Sequence, residues 1–181
     1  MRRVAIIAAA VLVPVVVAAV VLTNVLGGDE PDDGPARVDA STSPQRAELP
    51  VLPLEVPPVT PEADATCPAL MEALPLELVG EPSRRVQSDS PFAYAWGDPP
   101  VALVCGVDRP DGFAPDSALY QINGVFWFVD DSNPDTTVWT AVDRPVYVEL
   151  QVPATIDSAP ATVLSTTIAE VLPYQEPDPG P

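Results

Sequence analysis

The chain reads as an α+β protein: an antiparallel β-sheet with two helices packed mainly on one face, preceded by one transmembrane helix. Three observations predict it. An uninterrupted apolar run extends from Val4 to Leu26 behind Arg2 and Arg3. Short β-type runs separated by turn residues fill the stretch from Ser83 to Val152. Two helical patterns bracket those runs, one around Cys67 and one around Leu164.

The apolar run is long enough to cross a hydrocarbon core of ~30 Å as a helix. The paired arginines hold its start in the cytoplasm, which places everything after Gly27-Gly28 outside. A cleaved signal peptide is the alternative. Its apolar core would be shorter, about 7–15 residues, and would end in small residues. Here the distal end reads Val20-Val21-Leu22-Thr23-Asn24-Val25-Leu26. Residues 1–28 are therefore expected to form a retained anchor, and the rest to be exported in either case.

Residues 29–65 are rich in proline, acids and small polar residues, the composition of a disordered linker. Leu49-Pro50-Val51-Leu52-Pro53-Leu54-Glu55-Val56-Pro57-Pro58 alternates like a strand. Its prolines lack ladder donors, so polyproline II is the expected state. Residues 174–181 have the same character and are expected to be a disordered tail.

One extracytoplasmic domain is expected over residues 66–173. Thr66 is a plausible N-cap, Pro68 fits the first turn, and Pro75 ends the helix, with Leu70 and Leu74 on one face. Strands are expected over 83–87, 92–96, 101–107, 119–122, 125–130, 136–142 and 146–152. Asn123-Gly124 is a strong hairpin signal, because a type I′ turn needs φ > 0 at both positions. Val146, Val148, Leu150 and Val152 alternate with Tyr147, Glu149 and Gln151, which gives that strand one wet face. Val125-Phe126-Trp127-Phe128-Val129 is apolar on both faces and is expected to be central. The closing helix runs from about Pro160 to Leu172, with Leu164, Ile168 and Val171 at helical spacing and Pro173 as its stop.

Composition excludes much chemistry. The chain carries 26 acidic residues against 8 basic ones, a net charge of −18, and has no histidine. All eight basic residues are arginine. Nucleic acid is a poor partner for such a surface, and anionic lipid headgroups are repelled. A cationic partner, a divalent cation or a neutral glycan remains in play. Without histidine there is no Ser-His-Asp or Cys-His triad and no imidazole metal site. Without lysine there is no Schiff base. Two carboxylates could still hydrolyse a glycoside, yet the expectation is a protein that is not an enzyme and needs no cofactor.

Cys67 and Cys105 are the only cysteines and lie in the exported part. They are expected to pair, since an oxidising compartment favours it. Closing a loop of about 39 residues removes roughly 4 kcal/mol of denatured-state entropy. A redox-active pair would want closely spaced cysteines, which these are not.

Three motifs are candidate sites. Trp96-Gly97-Asp98-Pro99-Pro100 is a rigid loop whose Trp96 and Asp98 could hold a sugar or peptide, or simply make a turn beside a core tryptophan. Val107-Asp108-Arg109-Pro110 recurs as Val142-Asp143-Arg144-Pro145, each time closing a strand. Arg109 and Arg144, with Arg84 and Arg85, would form an anion spot if the fold gathered them. Asp131-Ser132-Asn133-Pro134-Asp135 has the spacing that opens a calcium loop, but Thr136 replaces the glycine and Val142 the final glutamate. No metal site is expected. The candidate contact surface is a strand-end side bearing Trp96, Asp98, Arg109 and Arg144.

An ordered set of segments carries a family resemblance. These are Cys67-x-x-Leu70 with Leu74-Pro75, Arg84-Arg85, Trp96-Gly97-Asp98-Pro99-Pro100, Cys105-Gly106-Val107, Gly124-Val125-x-Trp127 and Tyr147-Val148-Glu149-x-x-Val152-Pro153. Over roughly residues 67–172, plus the N-terminal anchor, the chain resembles an actinobacterial family of exported, membrane-anchored proteins, domain of unknown function 3515. The resemblance implies a cell-envelope location and no catalysis. The family often has arginine before Cys-Gly-Val, and here Val104 stands there. The expected protein is thus single-pass in the cell membrane, a non-catalytic binding or interaction module whose partner is an envelope protein or glycan.

Overall fold

A computed structural model describes residues 49–180. The anchor expected over residues 1–28 and most of the expected linker lie outside them. Among the described residues no helix is long and apolar enough to cross a membrane.

The first strand is β1 (Leu52–Pro53), followed by helix α1 (Pro61–Ala73). Then come β2 (Glu77–Leu78), β3 (Glu81–Arg84), β4 (Val86–Gln87), β5 (Ala93–Trp96) and β6 (Val101–Val107). After a loop follow β7 (Leu119–Ile122), β8 (Val125–Asp130), β9 (Thr136–Ala141), β10 (Tyr147–Pro153) and helix α2 (Ala159–Val171). Eight strands form one sheet in the order β2-β3-β5-β6-β10-β9-β8-β7, with antiparallel pairing throughout. The architecture is α+β, with an antiparallel sheet and two helices.

Strand periodicity decides which side chains face the helices. In register, Tyr94 opposes Leu103, Leu103 opposes Leu150, and Leu150 opposes Trp139. Those residues, with Val148, Val152, Val125 and Trp127, meet Ala63, Cys67 and Leu70 of α1 and Ala161, Leu164 and Ile168 of α2. The Cys67–Cys105 disulfide, with Cα atoms 5.8 Å apart, ties α1 to β6. Next to it Gly106 sits at φ +85°, and a Cβ there would come within 2.5 Å of the Ala63 Cβ. Close approach of helix to sheet requires glycine here.

Helix α1 begins earlier than Thr66. Thr60 is the N-cap, its side chain accepting from Ala63 N at 3.1 Å, with Pro61 in the first turn. Thr66 and Pro68 carry similar start signals, but Ala63, Cys67, Leu70 and Leu74 form one buried stripe. Extending the helix N-terminally adds Ala63 to that stripe, so burial outweighs the interior proline.

The expected linker is also corrected between residues 50 and 58. Leu52 N donates to Arg85 O at 2.9 Å and Leu54 N to Gln87 O at 3.0 Å, making β1 parallel to β4. The prolines do not break this ladder, because Pro53 falls between the two donors. The final segment, expected as a disordered tail, returns to the domain: Gln175 N donates to Asp143 O at 2.9 Å. The strand expected over 83–87 divides into β3 and β4 around Arg85. Strand β8, expected to be central, lies next to the edge strand β7. Its second apolar face is covered by a loop, with Phe113 packing on Phe128 at a centroid distance of 5.7 Å.

Candidate functional site

The four residues expected to share a contact surface do not. Trp96 opposes Val101 at one end of β6, and Val107 opposes Tyr147 at the other. Trp96 and Asp98 therefore sit about 20 Å from Arg109 and Arg144, roughly six residue steps at ~3.3 Å each. Trp96 has no exposed surface, and its Nε1 donates to Pro75 O at 2.8 Å. It is a core residue with a satisfied polar edge, which removes it as a ligand platform. Asp98 is exposed, with a carboxylate oxygen 3.8 Å from Arg84 Nη1.

Arg84, expected only as a member of an anion spot, organises this end instead. Its side chain is buried and donates from Nη1 to Gly97 O at 2.9 Å and from Nη2 to Pro50 O at 2.7 Å. It clamps the proline strap of residues 50–58 to the β5–β6 turn. Arg144 is equally buried. It donates to the Asp143 side chain at 3.2 Å, to Asp143 O at 2.9 Å and to Gly124 O at 2.8 Å. Asp143 is wholly buried, and this burial raises its carboxyl above the ordinary value, against the pull of Arg144. The pair is a structural lock between the β7–β8 turn and the start of β10. Arg109 donates from Nη1 to Phe113 O at 2.7 Å and also to Pro179 O. Among the described residues no anion spot is assembled: Arg84 and Arg144 are sealed in the interior and Arg109 is engaged by main-chain carbonyls.

The Asp131–Asp135 loop is a turn. Ser132 N donates to Asp130 Oδ1 and Asp135 N to Asn133 Oδ1, both at 2.9 Å. The hydrogen bonds from Ser132 lower the Asp130 carboxyl. Among the described residues no group of three or more Cys, Asp or Glu is placed to hold a metal ion.

What the fold does build is a trough on the sheet face away from the helices. Its accessible floor is Gln151 and Glu149 of β10, which pair across the sheet with the buried Ala102 and Val104 of β6. One hollow of about 420 Å³ is lined by Glu55, Pro57, Val104, Asp108, Asp111 and Glu149, with Arg109 at its rim. A second of about 360 Å³ is lined by Leu52–Leu54, Pro99, Pro100, Ala102, Gln151 and Pro153. Both run along the same strand pair, with the strap as a common wall. Glu149 accepts from Gln151 Nε2 at 2.8 Å, which orients its carboxylate within the trough. A further hollow of about 520 Å³ lies between Pro53–Val56 and Gln87–Asp89.

A family model described as "Protein of unknown function (DUF3515)" matches residues 5–177. The chain belongs to the DUF3515 family. The match extends the resemblance over residues 67–172 and the N-terminal run to include the strap, the whole of α1 and part of the final segment. No curated protein and no solved structure matches the chain.

The wet face of β10, and so Glu149 and Gln151, was legible from alternation. Their neighbours Glu55 and Asp108 were not, because nothing local reveals that the strap lies along β6. The only signal was Leu52 and Leu54 framing Pro53, the phase that leaves both donors free.

Proposed function

We propose that this DUF3515 protein is a membrane-anchored, extracytoplasmic binding module of the cell envelope. It holds an extended, positively charged segment of an envelope protein and turns over no substrate. The trough along β6 and β10 carries this reading. Its length of about 20 Å matches six extended residues. Glu55, Asp108, Asp111 and Glu149 line one half, while the only cation there, Arg109, is spent on main-chain carbonyls. A basic segment is the complement such a wall selects. Prolines line the other half and give a rigid apolar surface.

Anchoring rests on the apolar run from Val4 to Leu26 behind two arginines. Absence of turnover rests on chemistry. With neither histidine nor lysine, acid–base work falls to carboxylates, tyrosines and arginines. Asp143, whose carboxyl is held above its usual range, is sealed from solvent. A glycan site on the Trp96–Pro100 loop is disfavoured, because the tryptophan face is inside the core.

The test is a photo-crosslinking residue at Gln151 in the native envelope. It is expected to capture a basic protein, and Glu149→Arg is expected to abolish capture, while Asp157→Arg outside the trough leaves it unchanged. Capture indifferent to Glu149→Arg overturns the trough reading. Hydrolysis of a cell-wall substrate, lost in Glu149→Gln, overturns the non-enzyme reading.

A further inference from the structure

Residues 175–180 are seated on the domain the way a peptide ligand is. Gln175 N donates to Asp143 O at 2.9 Å, Tyr147 Oη donates to Asp178 O at 3.0 Å, and Arg109 Nη1 donates to Pro179 O. The segment folds on itself where it is held. Gly180 N donates to Asp178 Oδ1 at 2.9 Å, with Gly180 at φ +74°. A side chain at Gly180 would be strained by that φ, and its Cβ would stand 3.7 Å from Arg109 Cζ. Each recognised feature thus belongs to a particular residue. Asp178 caps the glycine amide two positions on, Gly180 allows the turn against the guanidinium, and the flanking prolines keep the chain extended with its carbonyls free. Burial and the nearby Asp178 carboxylate both raise the Tyr147 phenol, which stays a donor.

The seated residues belong to the sequence Glu176-Pro177-Asp178-Pro179-Gly180-Pro181, and the chain contains the same pattern a second time, as Glu30-Pro31-Asp32-Asp33-Gly34-Pro35. The two differ only at the fourth position, where Pro179 contributes its carbonyl to Arg109. Asp33 has that carbonyl too, and its carboxylate would approach a guanidinium.

We propose that Arg109, Tyr147 and the Asp143 carbonyl form a recognition site for the peptide Glu-Pro-Asp-x-Gly-Pro. Residues 176–180 fill it in this structure, and it accepts residues 30–35 of a second copy of the chain when they leave. The final segment is thus a tethered competitor that sets whether copies associate. A tether holds its ligand at millimolar effective concentration, so the segment masks the site from a free peptide of ordinary affinity. This inference is independent of the trough, from which it uses only Arg109.

The experiment uses the full-length chain in detergent, intact and with the seated segment loosened by Asp178→Ala and Gly180→Ala. A fluorescent peptide of residues 29–37 is expected to bind the loosened chain at least about tenfold more tightly than the intact one. Arg109→Ala is expected to remove that binding, and Glu149→Arg, which alters only the trough, to leave it unchanged. In sedimentation the loosened chain is expected to self-associate. Adding Asp32→Ala and Gly34→Ala to it is expected to restore the behaviour of the intact chain. Equal peptide binding by both chains, or none, overturns the site. Peptide binding without self-association, or self-association indifferent to the changes at Asp32 and Gly34, overturns the second copy as its occupant.

Discussion

The tetrapeptide Val-Asp-Arg-Pro occurs twice and has two fates. Asp108 and Arg109 lie at the surface, while Asp143 and Arg144 are buried. Local chemistry is identical, so the difference comes from what the fold stacks above each copy. The buried pair has an uncomfortable balance, since Asp143 Oδ1 and Arg144 Nε have no hydrogen-bond partner. Removing one partner alone strands the other charge. Arg144→Met is expected to lower stability by about 3–5 kcal/mol in chemical denaturation. Asp143 also sets a pH dependence. Its folded carboxyl lies above the ordinary aspartate value of 3.8, so between the two the native state binds more protons than the unfolded one. Stability contributed by this group is then present below pH 3.8 and falls as pH rises toward the folded value. Denaturation curves across acid pH should show the parent chain losing ground to Asp143→Asn as pH rises. A difference that grows in the parent's favour would contradict the assignment.

At the scale of elements, the strap and α1 show how long-range contacts recruit segments whose local signals are weak. Leu52 and Leu54 have donors in the right phase, but a two-residue parallel pair is not stable by itself. Arg84 supplies the missing hold through Pro50 O and Gly97 O. Arg84→Met should therefore release the strap while the core persists. Hydrogen exchange at the Leu52 and Leu54 amides is expected to accelerate by about tenfold or more, with β6 and β10 amides unchanged, because hydrogen bonds to a charged donor contribute ~1.5–3 kcal/mol. Uniform acceleration would mean that Arg84 supports the whole sheet. The disulfide acts at the same scale, joining α1 to β6. Replacing Cys67 and Cys105 by serine is expected to cost about 2–4 kcal/mol, read from denaturation midpoints, and to produce no new activity. Thiol labelling of the native exported protein at near two per chain would contradict the bridge in that compartment.

For the whole molecule the governing feature is the pairing of an apolar leader with a strongly acidic domain. Nearly all acids among the described residues are exposed, while Arg144 and Arg84 are withdrawn from the surface. An acidic domain gains nothing from anionic lipid, so the proposed attachment rests on the apolar run. Full-length protein is therefore expected to stay with membranes through a carbonate wash. Externally added protease should release the domain by cutting between the run and the strap. A mature N-terminus beyond Ala18 in the native host would replace the anchored reading with a secreted one. The trough and the tail-filled cleft meet at Arg109, so one residue borders both proposed contacts.

Sequence by itself determined the fold class, the disulfide, the hairpin at Asn123-Gly124 and the wet face of β10. Each rests on a local or periodic signal: a turn needing positive φ, an alternation of period two, two cysteines in an oxidising setting. Tertiary structure alone decided where the arginines go, that Trp96 faces inward, and that residues 50–60 and 175–180 belong to the domain. Those outcomes depend on strand order, which no local signal encodes. The order sets β6 beside β10 and sends Trp96 and Arg109 to opposite ends of one strand. It also brings Gly97 and Pro50 within reach of a single guanidinium.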